Sequence, residues 1–172
     1  MLKTTFKYIA AFCCLAGFLI GIGGCSGYSQ GWLFPEEVET VYVEMFDSRD
    51  FRRDYEYTLT EAVCKQIEVQ TPYKLIADKN RAQTMLYGYI SYMSDEILDM
   101  ERYSGRPIEQ EAAVRVVFSW KDMTTGRMYA DNVEVIGACS YSDFENQDYS
   151  YAAQVAVNDA AKKILQSMQT KW

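Results

Sequence analysis

Residues 38–46 alternate in character, with Val41, Val43 and Met45 on one side and Tyr42, Glu44 and Phe46 on the other. A period of two is that of a strand with one buried face. Residues 47–54 are charged and turn-like. A helix is predicted next. Thr58 and Glu61 fit a capping box, and Leu59, Ala62, Val63, Gln66 and Ile67 recur at helical spacing until Pro72 stops the run. Residues 73–76 read as a short extended piece, followed by the polar turn Asp78-Lys79-Asn80. A second strand is predicted over residues 85–93, with Met85, Tyr87 and Tyr89 on one face and Leu86, Gly88, Ile90 and Tyr92 on the other. Residues 94–109 carry Asp95, Glu96, Asp99, Glu101, Arg102 and Arg106 and read as a polar loop.

The next strand has the clearest pattern in the chain. Val114, Val116, Phe118 and Trp120 face one way, and Arg115, Ser119 and Lys121 the other. The run Asp122-Met123-Thr124-Thr125-Gly126 predicts a hairpin turn, with Gly126 placed for positive φ. The returning strand covers residues 127–137 and sets Tyr129, Val133 and Val135 on one face. After an acidic loop, Asp148 or Ser150 can cap a last helix whose buried side is Ala153, Val157, Ala160, Ile164 and Met168. The order is β-α-β-β-β-α, with room for a short extra strand at 73–76. Two amphipathic helices on one face of a four-stranded, mostly antiparallel sheet make a two-layer α+β sandwich spanning residues 38–172. The second face of that sheet, with Arg115, Lys121 and tyrosines, either meets water or is covered by a partner.

The N-terminus has a different pattern. Lys3 and Lys7 are followed by residues 8–24, every one of which is apolar, aromatic, Gly or Cys. That length suits a secretory signal and is slightly short for a membrane span. Ile22-Gly23-Gly24-Cys25 resembles a lipobox, so residues 1–24 are expected to be removed and Cys25 to carry lipid. Several acyl chains on one residue anchor stably where a single chain is marginal. Ser26, rather than an acid, after the cysteine is compatible with onward transport to the outer membrane. Residues 26–37 read as a short tether, at most about 40 Å long when fully extended, in which Trp32, Leu33 and Phe34 are expected to pack on the domain or at the membrane interface.

Composition narrows the chemistry. Removing 24 of 172 residues leaves 148, enough for one domain with its own core. Losing two lysines from 17 basic residues leaves 15 against 24 acids, a mature charge of −9. Such a surface is a poor match for nucleic acid, where phosphate neutralisation dominates affinity. Histidine is absent, which removes the usual general base and the commonest metal ligand, and with it any Ser-His-Asp or Cys-His arrangement. No Cys/His cluster is present for zinc, no phosphate-binding glycine loop lies outside the signal, and no cofactor is expected. The acid pairs Glu36/Glu37 and Asp95/Glu96 fall in predicted loops, where solvation is their ordinary role. The chain is therefore not expected to be an enzyme. Cys64 and Cys139 remain in the mature chain; an oxidising compartment permits a disulfide between them, and two buried free thiols are the other reading.

The ordered pieces resemble the LptE family of lipopolysaccharide-assembly lipoproteins. The matching runs are Ile22-Gly23-Gly24-Cys25-Ser26-Gly27-Tyr28, Val41-Tyr42-Val43-Glu44-Met45-Phe46, Leu59-Thr60-Glu61-Ala62-Val63 and Tyr73-Lys74-Leu75-Ile76. They continue through Ala82-Gln83-Thr84-Met85-Leu86-Tyr87-Gly88-Tyr89-Ile90, Val114-Arg115-Val116-Val117-Phe118 and the 122–126 turn. Order and spacing carry the resemblance, which covers nearly all of the mature chain. One departure is Ala82-Gln83, where family members often have Ala-Asp. The resemblance implies an outer-membrane lipoprotein on the periplasmic face. It implies a partner, an LptD-like β-barrel, in which the lipoprotein acts as plug and assembly scaffold for lipopolysaccharide transport. It also implies contact with lipopolysaccharide through basic residues, for which Arg102, Arg106, Lys121 and Arg127 are the local candidates.

Two other classes compete. An envelope lipoprotein of the LpoB/CsgG-like type would bind a peptidoglycan synthase or a secretion partner. An LpoB-like activator needs a long reach after the lipid, and the short tether ranks it lower. A small envelope enzyme ranks last, for want of a nucleophile motif.

Overall fold

The computed structural model describes residues 33–169. The signal segment, Cys25 and most of the tether lie outside the described residues. Strands β1 (Thr40–Val43) and β2 (Asp47–Ser48) precede helix α1 (Tyr55–Gln70), and strand β3 (Lys74–Leu75) follows it. Three long strands then run in succession: β4 (Thr84–Met100), β5 (Pro107–Asp122) and β6 (Met128–Tyr141). Helix α2 (Tyr149–Met168) completes the domain.

The α+β architecture is the one the periodicity predicts, but the sheet has six strands rather than four. Its order is β3-β1-β4-β5-β6, with β2 beside β4. The sheet is mixed: β1 runs parallel to β3 and β4, β2 runs parallel to β4, and the long β4–β5–β6 meander is antiparallel. β3 is the short extra strand for which residues 73–76 left room, whereas β2 is a two-residue strand too short for any periodic signal. Gln83, at the position where the family pattern has an acid, still presents an oxygen: its Oε1 accepts from the Glu39 and Thr40 amides at 2.7 and 3.3 Å. This ties the start of β1 to the start of β4.

Both helices cover one face of the sheet. Leu59, Val63 and Ile67 of α1 and Val157, Ala160, Ile164 and Leu165 of α2 are buried against Leu86, Ile90, Val114, Val116 and Phe118. The predicted apolar side of α2 is the buried one, and Asp148 is its cap, accepting from the Tyr151 amide at 2.8 Å. Helix α1 differs from expectation. It begins at Tyr55, one turn before the predicted capping box, behind Asp54 at φ 78° with no side-chain cap. Thr58 lies inside the first turn, where its hydroxyl donates back to the Asp54 carbonyl.

Two breaks in strand phase correct the predicted faces. The 38–46 alternation does not continue as one strand, because β1 ends at Val43. Past that point Phe46 is buried and Met45 is exposed. The Phe46 amide donates to Thr60 Oγ1 of α1 at 3.0 Å, which turns the ring inward. In β4 a bulge between Ile90 and Tyr92 shifts the register by one. Met93 rather than Tyr92 then continues the core face, as an inserted residue must cause in a period-two element.

The domain also begins earlier than residue 38. Phe34 is buried and meets Tyr73 edge-on at 5.8 Å between centroids. The chain from Cys25 to Leu33 can therefore span at most roughly 28 Å, shorter than the tether read from the sequence.

Candidate interaction surface

The predicted loop 94–109 is instead the far half of a β-ribbon. β4 and β5 stay paired from Thr84↔Asp122 out to Met100↔Pro107, well beyond the helices. The turn between them closes with the Glu101 amide on the Arg106 carbonyl at 2.8 Å and Gly105 at φ 69°. The charges at 95, 96, 99 and 101 suggest a loop because nothing here is buried, so the alternation has no apolar core face to report on.

The ribbon has two unlike faces. Glu109 and Glu111 share one face, and Asp99 and Glu96 stand directly opposite them in the register. Like charges facing across strands destabilise the pairing. The other face continues the core side, with Ile97 opposite Gln110 and Ile108 next along. Exposed apolar side chains crowd this end: Leu98 is 50% and Tyr103 96% exposed, with Met100 and Phe144 also open. At the ribbon's base the Tyr141 hydroxyl donates toward Asp95 Oδ1 at 2.7 Å.

Side chains cap the sheet edges elsewhere. Beyond β2 the outer edge of β4 is met at Met93: its amide donates to Asp50 Oδ2 at 3.0 Å, and its carbonyl accepts from Arg52 Nη1 at 2.8 Å. Asp50 is only 6% exposed, so the two side chains stand where a neighbouring strand would. On β6, at the opposite edge of the sheet, Lys163 donates to the Ile136 carbonyl at 2.6 Å. Asp159, paired with Lys163 at 2.8 Å, accepts from the Ala138 amide at 3.3 Å. Side chains that bond an edge strand's own backbone groups block further strand addition there. Among the described residues, nothing equivalent pairs with the outer edge of β4 from Asp95 to Leu98; Asp99 Oδ1 accepts from the Met100 amide at 2.8 Å. The roles of Asp50 and Arg52 went unread in the sequence because they depend on a strand more than forty residues away. The i,i+4 spacing of Asp159 and Lys163 carries no local sign of the β6 edge they cap.

The four sequence-chosen cations do not form one site. Arg102 and Arg106 lie at the ribbon turn, Lys121 and Arg127 at the β5–β6 turn, and the sixteen residues of β5 put roughly 50 Å between the two ends. Arg106 stacks on Phe144 at 5.5 Å. Arg127 lies 5.2 Å above Tyr129 and 3.7 Å from Glu37. A cavity of about 390 Å³ opens beside it, lined by Pro35, Glu37, Trp120, Tyr129 and Met168 among others. The Trp120 indole N–H has no hydrogen-bond partner there. Burial pushes the Tyr73 phenol far above its ordinary range, with Tyr129 and the Glu37 carboxylate adding to it, so it remains a donor, to the Pro35 carbonyl at 3.2 Å.

Cys64 on α1 and Cys139 on β6 are free thiols, so the structure does not contain the disulfide that the compartment would permit. Helix α2 packs against both elements. Burial raises both thiols, with Glu68 adding to Cys64 and Asp159 and Glu111 to Cys139. Mature protein prepared without reductant should therefore titrate two thiols when denatured. In the native state it should alkylate slowly at neutral pH and faster as pH climbs past the ordinary thiol range. A count of zero thiols after denaturation would show that the bridge forms.

Among the described residues, no helix is long and apolar enough to cross a membrane, and no group of three or more acidic or cysteine side chains could hold a metal ion. No family model and no curated protein matches the sequence. Solved structures do match the fold. Lipoprotein B from Nitrosomonas europaea superposes with a TM-score of 0.58 at 17% identity, over 83% of this chain and 88% of that one. The chain has the fold of bacterial lipoproteins. Rare lipoprotein B from Shewanella oneidensis follows with a TM-score of 0.52 at 18% identity, covering 76% and 93% of the two chains. The PelC dodecamer from Paraburkholderia phytofirmans also gives 0.52, at 14% identity over 80% and 93%.

Proposed function

We propose that this chain is an envelope lipoprotein, anchored by lipid on Cys25 at the periplasmic face of the outer membrane. There it serves as plug and assembly scaffold for an LptD-like β-barrel in lipopolysaccharide transport. The observation that carries this reading is a lipobox placed a few residues before a domain with a lipoprotein fold. The sheet face that the helices leave open supports it. Tyr87, Tyr89, Arg115 and Glu134 lie there, with Arg115 paired to Glu134 at 3.4 Å. A polar, tyrosine-rich surface suits a water-lined barrel interior. Arg102 and Arg106 lie far from Lys121 and Arg127, so a lipopolysaccharide contact through these residues would use one end of the domain at a time.

The test is labelling and co-purification. Cells given radioactive palmitate should label the wild-type chain, and Cys25→Ala should abolish both label and membrane retention. The wild type should co-purify from outer membranes with a barrel identified by mass. Label on Cys25→Ala would remove the anchor, and a clean lipoprotein with no barrel would remove the scaffold role.

A second reading is a lipoprotein of the LpoB/CsgG-like type that serves a peptidoglycan synthase or secretion partner. What favours it is the shared fold with a protein that is a dodecamer. Native mass spectrometry separates the two: a closed ring of copies favours the second reading, and a one-to-one complex with a barrel favours the first.

A further inference from the structure

We propose that the outer edge of β4 from Asp95 to Leu98 is a docking site for an extended, lysine- or arginine-bearing strand of a protein partner, which adds to the sheet there. This deepens the scaffold reading and rests on it for the compartment.

Three observations carry the proposal. The first is contrast between edges. The fold caps Met93 with Asp50 and Arg52, and caps β6 with Asp159 and Lys163, yet leaves the edge bare from Asp95 to Leu98, before Asp99 takes the Met100 amide. Bare edges are templates for strand addition, and main-chain hydrogen bonds supply the affinity when a peptide adds to one. The second is charge. Glu96 faces Glu111 and Asp99 faces Glu109, so each cross-strand pair carries an unfavourable repulsion within the isolated domain. Cationic side chains arriving on that face relieve it. The same acids disfavour a second copy of this chain, because pairing edge to edge would set Asp95, Glu96 and Asp99 against themselves. The third is apolar exposure. Ile97, Leu98 and Met100 are each about half exposed, and they offer side-chain contact along the same edge.

The location fits a partner distant from the anchor. The N-terminal segment enters the domain at Phe34 and Pro35, beside the β5–β6 turn where Glu37 meets Arg127. The ribbon tip lies at the other end of β5, roughly 50 Å away.

The experiment uses the full mature lipoprotein in a non-ionic detergent, with two blocked ten-residue probe peptides, one alternating Val and Lys and the other alternating Val and Glu. The Val–Lys peptide should bind, slow amide exchange in residues 94–100, and weaken as salt is added. The double variant Glu96→Lys/Asp99→Lys should reduce its affinity by about tenfold or more. Leu98→Pro should abolish binding with helix content and Tm unchanged. If that variant unfolds, the charge-reversal pair still decides. Equal binding of the Val–Glu peptide, protection located elsewhere, or no protection at about 1 mM peptide each overturns the proposal. A wild type that binds the peptide yet recovers no barrel defeats the barrel reading alone. A Glu96→Lys/Asp99→Lys chain that recovers the barrel as well as wild type defeats this one alone.

Discussion

Replacing Gly137 with alanine is expected to cost the domain about 3–5 kcal/mol, a large share of the 5–15 kcal/mol that typically holds a domain together. A methyl group built on Gly137 would lie 2.1 Å from the Ala156 carbonyl oxygen and 2.5 Å from the Ala160 amide nitrogen. Both are helix backbone, which cannot rotate away as a side chain can. Helix α2 approaches β6 this closely because it presents Ala152, Ala153, Ala156, Ala160 and Ala161 to the interior, all fully buried. To admit the methyl, α2 must lift from the sheet, and α1, which packs on α2, loses its footing with it. Thermal unfolding should show Tm falling by roughly 10 °C or more. An unchanged Tm would mean that α2 does not sit against β6 at this distance.

Trp120→Ala should destabilise by a comparable amount, about 3–5 kcal/mol. Among the described residues, Trp120 is the largest fully buried side chain and the centre of an aromatic run, 6.0 Å from Tyr73 and 4.5 Å from Tyr129 between centroids. Tyr73 in turn holds Phe34, so the loss extends to the N-terminal end of the described domain. Trp120→Phe provides the control. It keeps most of the ring area and removes an indole N–H that has no partner, so its cost should be about 1 kcal/mol. Denaturant titration of the two variants checks the pair. Equal losses for Phe and Ala would show that the indole N–H, and not the buried area, is what the site requires.

The long elements were legible in the sequence for a simple reason. Val114, Val116, Phe118 and Trp120 alternate because one side of β5 is buried, and Ala153, Val157, Ala160, Ile164 and Met168 recur because one side of α2 is buried. Burial of a single face imprints a period, and the period can be read without neighbours. The same logic explains the failures. The ribbon from Asp95 to Glu111 buries little, so its strands left no core face to detect, and their charges suggested a loop. The bulge after Ile90 inserts one residue, and no local signal distinguishes Tyr92 from Met93 as the one that turns inward. The candidate site was legible only in part. Arg102 and Arg106 stand out as cations in a polar stretch, but the bare edge beside them has no local trace.

By itself, the sequence determined the acidic balance, the absence of histidine, and two helices with three long strands in their correct order. These are properties of single residues or of one segment's own periodicity. Tertiary structure alone decided the addition of β2, the parallel pairing of β1 with β3 and β4, the capping of Met93 by Asp50 and Arg52, the closeness of α2 over Gly137, and the open edge of β4. Each depends on hydrogen bonds or contacts between segments far apart in the chain, and a strand edge is bare or capped only once its neighbours are in place.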